Sequence, residues 1–391
     1  MKKSLWIILA FALFLSGCGN SASSSAAPSE YFVIDYNDRF QYENGELYVD
    51  TAQRLHFADF SSVTDVIICP KPNCPHTDES CSALGMDNHP VTVGGNIYWF
   101  EDNTRCEGDK TVSGLNVYKA AIDGTGRVKT DAVDGVTLPS GAGSAFGSGV
   151  LYFGGINEHP EGRPFGMREL YLCGYDFANK RLAVNELLCA GYSADVTFCG
   201  ELGGELYFIL NYQEENADWW DEDTDEARKH NGEELRRVSI AEYKKLDLET
   251  LEITDWELPE KIVSAHKERE SDPSAPILPI YAQIKEGAMI FSDCVDTLII
   301  GPSGREIFIE DYNGNDKAVA NEFIFDDLST GECKARRLSD GKEVTVTVAE
   351  ENVKAGYVAK YLDGKYIIRY FGFDSQQTLY CAVSGDEFIS E

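Results

Sequence analysis

One short hydrophobic motif recurs six times along the chain. In each copy a glycine is followed by a variable residue, an apolar residue and a pair of aromatic or large apolar residues. Segments that are rich in β-branched and aromatic residues and begin at a turn glycine are typical of β-strands. The pattern therefore predicts strands at Gly45–Val49, Gly95–Trp99, Gly149–Phe153, Gly204–Phe208, Gly287–Phe291 and Gly364–Ile368.

A second apolar segment follows each of the first five copies and leads into an aspartate, at Asp59, Asp123, Asp176, Asp247 and Asp327. Aspartate followed by small polar residues favours a hairpin turn, because its side chain can bond the backbone ahead of it. The first four glycines are 50, 54 and 55 residues apart, and the last two gaps are 83 and 77 residues. A glycine-started inner strand with a hairpin, recurring at this spacing, is typical of β-propeller blades.

These six motifs resemble the β-propellers of Gram-positive surface lipoproteins, whose propeller domain has no known function. They are more distantly similar to Tyr-Trp-Thr-Asp propellers, which Ile97–Phe100 approaches most closely, and to TolB-like propellers. The resemblance implies an all-β fold, a β-propeller of about six blades, with an irregular pair of β-sandwiches as the other architecture. Seven blades are the alternative number, since the wide gaps leave room for one more. We expect the strand Tyr31–Asp35 to complete the last blade.

The two wide gaps also contain insertions, near 211–240 and 259–280. The first holds a dense acidic run with Trp219 and Trp220, and the second holds four prolines, which predict a long ordered loop. Insertions leave repeat units on one face, where partners usually bind. Trp219 and Trp220 are therefore candidate partner-binding residues, because exposed aromatic side chains anchor protein or sugar partners. The alternative is that one of them caps the insertion against the blade edge.

The first residues predict export. Lys2 and Lys3 precede an apolar run that ends at Leu-Ser-Gly-Cys18, which resembles the lipobox of bacterial lipoproteins. The resemblance implies cleavage before Cys18 and its acylation, as by palmitate; a plain signal peptide cut elsewhere, or an uncleaved anchor, is the alternative. We expect a lipoprotein signal peptide at 1–17, a Ser/Ala-rich tether at 18–30 and the propeller at 31–391. The protein would then be lipid-anchored at the extracytoplasmic face of the cell membrane.

The formal net charge of the chain is −32. A field of this sign repels the phosphates of nucleic acid, so a nucleic-acid partner is excluded. The acidity either keeps the protein soluble at a crowded surface or attracts cations and basic partners.

The densest group of reactive side chains comprises three thiols and one imidazole within 13 residues, namely Cys69, Cys74, His76 and Cys81. The number and type of these ligands match a closed tetrahedral zinc site. An exported chain with ten cysteines besides Cys18 could equally form a disulfide here, with Cys106 as a further partner. A structural role follows in both cases, because no coordination position remains for a substrate water.

The sequence contains no Gly-x-Ser-x-Gly, His-Glu-x-x-His or phosphate-binding glycine motif, so we assign no catalytic residues. These observations favour a non-catalytic binding or scaffold module for a surface protein or cell-wall glycan. The alternative is an extracytoplasmic propeller enzyme, a hydrolase, lyase or lactonase, with a metal in its channel. That enzyme would need carboxylates from several blades to converge in the channel.

Overall fold

The chain folds into successive antiparallel β-meanders. The computed structural model describes residues 32–33, 39–42, 45–77, 80–86, 89–108, 110–138, 143–158, 160–161, 167–215, 237–270, 279–315, 317–326, 328, 331–348, 356–371 and 378–390. These residues contain thirty strands and two helices, so the fold is mostly β, as the sequence predicts.

The first half of the chain forms four meanders, preceded by β1 (Phe32–Val33). The first contains β2 (Arg39–Tyr42), β3 (Gly45–Val49), β4 (Leu55–Asp59) and β5 (Thr64–Ile67). The second contains β6 (Val91–Val93), β7 (Asn96–Asp102), β10 (Gly114–Ala121) and β11 (Val128–Asp134), with a separate hairpin of β8 (Arg105–Glu107) and β9 (Lys110–Val112). The third and fourth meanders share the long strand β15 (Arg181–Leu202). The third also contains β12 (Ser144–Gly147), β13 (Val150–Asn157) and β14 (Arg168–Asp176). The fourth also contains β16 (Glu205–Glu215), β17 (Arg237–Asp247) and β18 (Ile253–Asp255).

Three more meanders follow helix α1 (Glu260–Glu270). The fifth contains β19 (Tyr281–Lys285), β20 (Ala288–Ser292), β21 (Thr297–Ile300) and β22 (Glu306–Ile309). The sixth contains β23 (Ala318–Ala320), β24 (Phe323–Phe325), β25 (Gly331–Arg337) and β26 (Glu343–Val348). The seventh contains β27 (Gly356–Leu362), β28 (Lys365–Phe371) and β29 (Thr378–Ser384); helix α2 (Gly385–Phe388) then leads to β30 (Ile389–Ser390), which pairs with β26.

Two-residue turns join the first and second strands of the meanders. Both residues have positive φ in Gly94-Gly95, Ser148-Gly149, Gly203-Gly204, Glu286-Gly287 and Asp363-Gly364. Two successive positive φ angles match the right-handed twist of a hairpin, and glycine adopts them without steric cost. The six predicted glycine-started strands are confirmed as strands, but each is the second strand of its meander rather than the inner one.

The aspartate turns are confirmed between the third and fourth strands. Carboxylate oxygens accept backbone N–H bonds at 2.8 Å from Ser61 to Asp59 and at 3.0 Å from Thr125 to Asp123. The same bond measures 2.9 Å both at Asp176 and at Asp247. Asp327 lies outside the described residues. In the sixth meander, which the sequence pattern did not separate from the fifth, Asp340 forms this turn by accepting the Lys342 N–H at 3.0 Å.

Buried apolar side chains join each meander to the next. One core spans the first three meanders, where the rings of Phe100 and Phe153 lie 5.5 Å apart. Further cores join the third meander to the fourth, the fourth to the fifth, the fifth to the sixth and the sixth to the seventh. A last core contains Tyr48 and Ala58 from the first meander and Ala359 and Ile367 from the seventh. The contacts between meanders therefore form a cycle.

The N-terminal strand does not complete the last meander, so that expectation is wrong. Phe32 pairs with Phe146 and Val33 with Ala145, which adds β1 to the first strand of the third meander. A meander leaves the outer edge of its first strand unpaired, and such an edge accepts another strand. Among the described strands, the first and seventh meanders share no sheet, and side chains make the contact between them.

Both predicted insertions differ from their expected bounds. β16 and β17 pair as far as Glu215 and Arg237, so residues 211–215 and 237–240 belong to strands. Part of 259–280 is helix α1 rather than loop. Its first turn carries Glu260 and its last turn carries Lys267 and Arg269, the charge order that favours a helix. Arg269 forms ion pairs with Asp293 and Asp296, which fasten α1 to the fifth meander.

Candidate metal centre and partner-binding face

The four predicted ligands meet in the connection 68–90 between β5 and β6. The ligand atoms of Cys69, Cys74, His76 and Cys81 all lie within 4.8 Å of one another. Nδ1 of His76 is 3.1 Å from Sγ of Cys81. Cys81 is 2% exposed and the other three residues are half-buried. The structure therefore brings together the four residues that the sequence singles out.

The connection reaches this shape through tight turns. Asn73 and His76 have positive φ, at 56° and 54°, which reverses the chain between successive ligands. The Cys74 N–H bonds the Lys71 carbonyl at 3.3 Å. The Lys71 ammonium in turn donates to the carbonyl of Ser80, so both ends of the loop are held together.

The cluster is attached to the first two meanders at once. On the side of the first, the Leu55 N–H bonds the Ala83 carbonyl at 2.8 Å, and Arg54 forms a bridge with Leu84. On the side of the second, Ser82 donates to the Asp123 carbonyl at 3.4 Å, and Arg127 donates to the Ser82 carbonyl. A movement of the cysteine loop would therefore disturb both meanders.

The thiols of the cluster differ in acidity. Burial works to raise the pKa of Cys69, but hydrogen bonds from the Ser82 hydroxyl and from the Lys71 and Ser82 backbone lower it to about 7. Burial raises the pKa of Cys81 to about 11, and the adjacent sulfurs of Cys74 and Cys69 add to the rise. One sulfur therefore ionises easily while close sulfurs oppose further ionisation, a conflict that a bound cation relieves.

The ten cysteines of the described residues form no disulfide with one another. Cys106 is exposed on the β8–β9 hairpin and is not a member of the cluster, so it is not the further partner that the sequence suggested. A disulfide in the loop would join two sulfurs at about 2.05 Å and leave the third thiol and the imidazole without a common role. Zinc at about 2.3 Å from each sulfur would use all four side chains.

The long connections share one end of the meanders. In an antiparallel meander the first-to-second and third-to-fourth turns lie at one end, and the remaining connections lie at the other, here named the exit end. Between the described strands, every connection longer than six residues belongs to the exit end. These are 68–90, 103–113, 135–143, 158–167, 216–236, 256–280, 310–317 and 349–355.

Side chains on the first strands, or just before them, also link neighbouring meanders. Gln41 donates to the Ala359 carbonyl, and the Thr92 N–H bonds the Tyr42 hydroxyl at 2.9 Å. Burial lowers the pKa of His89 to about 4, and this neutral imidazole lies 3.0 Å from Oγ of Ser144. On the described first strands, carboxylates come from one meander, as Asp195 and Glu201 in the part of β15 that pairs with β16.

A buried ionic network joins the first and last meanders, and sequence reasoning missed it. The Arg39 guanidinium is 2.7 Å from the Glu46 carboxylate, and their side chains are 9% and 2% exposed. The Tyr380 hydroxyl also donates to Glu46, and Arg369 approaches it at 3.4 Å. Charged residues within short apolar strands are the sequence signal that could have identified Arg39 and Glu46.

Cys18, Trp219 and Trp220 lie outside the described residues. Within the described part of the chain, no helix combines the length and the hydropathy needed to cross a bilayer.

No family model matches the chain, and no curated protein matches it. Among solved structures, the chain is similar to Sqt1 of Saccharomyces cerevisiae at 11% identity, covering 87% of this chain and 93% of that one, with a TM-score of 0.31. A eukaryotic initiation factor matches at 9% identity over 97% and 93%, with a TM-score of 0.32. An oligogalacturonate lyase in complex with manganese matches at 11% over 75% of both chains, with a TM-score of 0.23. Likeness at these TM-scores carries no argument about function.

Proposed function

We propose that this chain is a seven-bladed β-propeller that is lipid-anchored through Cys18 at the extracytoplasmic face of the cell membrane. It acts there as a non-catalytic binding module for a surface protein or a cell-wall glycan, which it engages through the exit ends of its blades. With this function, the protein belongs to the class of binding and scaffold propellers.

The cycle of contacts supports the propeller. Seven meanders follow one another, each shares a buried core with the next, and the seventh shares one with the first. Radial repetition of four-stranded sheets around an axis is the arrangement that satisfies this pattern of contacts. The proposal has seven blades rather than six because it counts the sixth meander, whose first-to-second turn, Asn321-Glu322, has no glycine.

The distribution of the long connections is the observation that carries the binding role. Turns at the opposite end span two to six residues, so the repeat keeps that end uniform. Between the described strands, connections longer than six residues occur only at the exit end, where 256–280, 68–90 and 216–236 are the longest. Loops on a rigid scaffold are where binding residues concentrate, and Trp219 and Trp220 belong to one of these segments.

The first strands favour binding over the alternative enzyme with a channel metal. Such an enzyme requires carboxylates from several blades, whereas the described first strands offer Asp195 and Glu201 of a single meander. The four-residue cysteine–histidine group lies instead in the 68–90 connection.

A binding assay with two probes tests this function. Wild-type protein is incubated with purified cell-wall sacculi and, separately, with detergent-solubilised membrane proteins of the same cells. We expect one of these probes to retain the wild type, and the double variant Trp219→Ala, Trp220→Ala to lose at least about tenfold in retention, as for truncated interface anchors. Glu249→Ala, an exposed change in the opposite-end turn of the same meander, should bind like the wild type. Equal binding by both variants, or release of soluble glycan fragments by the wild type, would contradict the proposal.

Membrane fractionation tests the anchor separately. Cys18→Ser should leave the protein unprocessed or release it from the membrane fraction, because acylation needs the cysteine sulfur. Unchanged processing and retention would count against lipidation, without bearing on the binding assay.

A further inference from the structure

We propose that Cys69, Cys74, His76 and Cys81 bind one zinc ion, and that this ion locks the first meander to the second. The proposal is independent of the partner and of the lipid anchor. It rests on the donor set, the convergence of the four atoms and the position of the loop between two meanders.

The donor set selects the metal. Three thiolates and one imidazole are soft and borderline ligands, which favour zinc over calcium, magnesium or manganese. The ligand atoms lie within 4.8 Å of one another, close to the separation of about 3.8 Å that a tetrahedron with Zn–S bonds of about 2.3 Å would impose. Nδ1 of His76 faces the Cys81 sulfur, so Nδ1 is the ligand atom.

The surroundings of the cluster support metal thiolates. The Ala83 N–H points to Sγ of Cys81 at 3.4 Å, a bond that stabilises a sulfur carrying negative charge. Neighbouring N–H donors of this kind orient ligands and tune metal thiolates.

All four coordination positions are taken by protein, so the ion has a structural role. The loop that carries it bonds Leu55 of the first meander and Asp123 of the second. Its Ser82 carbonyl would lie 2.7 Å from a Cβ at Gly124, so the fit between loop and second meander is close. An ion that fixes the loop therefore fixes the boundary between the two meanders.

Metal analysis of the full-length protein tests the site. The protein is expressed with zinc in the medium and purified without chelator or immobilised metal. We expect about one zinc per chain in the wild type, and below about 0.1 in Cys74→Ser and in His76→Ala. Cys106→Ser is the matched control, an exposed cysteine outside the cluster, and should keep about one zinc. His76→Cys should also keep it, because four thiolates form an equally closed site.

Two further measurements do not depend on the folding of any variant. Cobalt exchanged into the wild type should give the intense visible bands of tetrahedral cobalt thiolate. Denatured wild type, kept without reductant and with chelator added, should have all of its loop thiols open to alkylation. Absence of zinc with two loop thiols blocked would establish the disulfide and overturn the proposal. Absence of zinc with free thiols, or iron in its place, would also overturn it.

Proteolysis tests the locking role. A strong chelator should speed cleavage of the wild type within 68–90 and should leave the cleavage rate of Cys74→Ser unchanged. If zinc is present but chelation changes neither the cleavage nor the unfolding midpoint, the locking role is wrong.

Discussion

The first meander has two neighbours, and its two boundaries are built differently. Towards the second meander, which follows it in sequence, it packs aromatic and aliphatic side chains and shares the cysteine loop. Towards the seventh, more than 300 residues away, it packs a small apolar core around Arg39, Glu46, Arg369 and Tyr380. A boundary supported by the chain can rely on non-directional packing. Where the two meanders are not consecutive in the chain, directional bonds between charged groups fix how one meander is aligned with the other.

The largest effect is expected at the ionic boundary. Glu46→Ala should lower the free energy of unfolding by about 3–5 kcal/mol, because it leaves Arg39 and Arg369 buried without their counter-charge. Urea unfolding measures this change. Glu306→Ala, an exposed glutamate on β22, is the matched control and should change stability by less than about 0.5 kcal/mol. A loss below about 1 kcal/mol at Glu46 would show that the network contributes little.

Conservative substitutions should separate the two boundaries. Phe100 is fully buried in the aromatic core, and Phe100→Leu should cost about 1.5 kcal/mol or less because the core can repack. Glu46→Gln, although similar in shape, should cost about 2 kcal/mol or more because the charge is lost. Both values come from the same urea titration. The reverse order would show that shape, not charge, holds the first meander to the seventh.

Two glycines in one turn measure how closely the cysteine loop fits the second meander. Gly124 and Gly126 both have positive φ, at 79° and 68°, so alanine strains the backbone at both positions. Only at Gly124 would the new Cβ meet the Ser82 carbonyl, at 2.7 Å; at Gly126 nothing lies within 4 Å. Gly124→Ala should therefore destabilise the protein by about 1 kcal/mol more than Gly126→Ala in thermal unfolding. Equal losses of stability in the two variants would mean that the cysteine loop moves away from the new Cβ without a cost in free energy.

The smallest effect is expected for the change in stability at acid pH. A hydrogen bond from Asn179 holds the pKa of Asp176 below 3.8, and backbone bonds from Thr250 and Glu249 do the same for Asp247. Because these pKa values are lower in the folded state, their contribution is full above the unfolded value and is lost as the pH falls through the folded one. Urea midpoints should drop slightly below about pH 4, and less so in Asp176→Asn, Asp247→Asn. Neither residue lies at a boundary of the first meander, so these variants should leave the contrast between its boundaries unchanged.

The local sequence was informative wherever a short-range constraint acts. Glycine marks six second strands, and before five of them it lies in a hairpin turn with two positive φ angles, which favours glycine. The glycine pattern does not identify the sixth meander, because its turn has Asn321 at a φ of 55° and contains no glycine. The sequence pattern consequently assigns β24 to the aspartate turn of the fifth repeat, at Asp327.

The sequence by itself determined the repeat, the mostly β fold and the four members of the cysteine–histidine cluster, because each depends on residues within about one turn or hairpin of one another. Only the tertiary structure decided that β1 joins the third meander and that Glu46 meets Tyr380 across 334 positions. Such partners are selected by the packing of whole sheets, since a free strand edge or a buried charge accepts any partner that the fold presents. No local pattern encodes that choice.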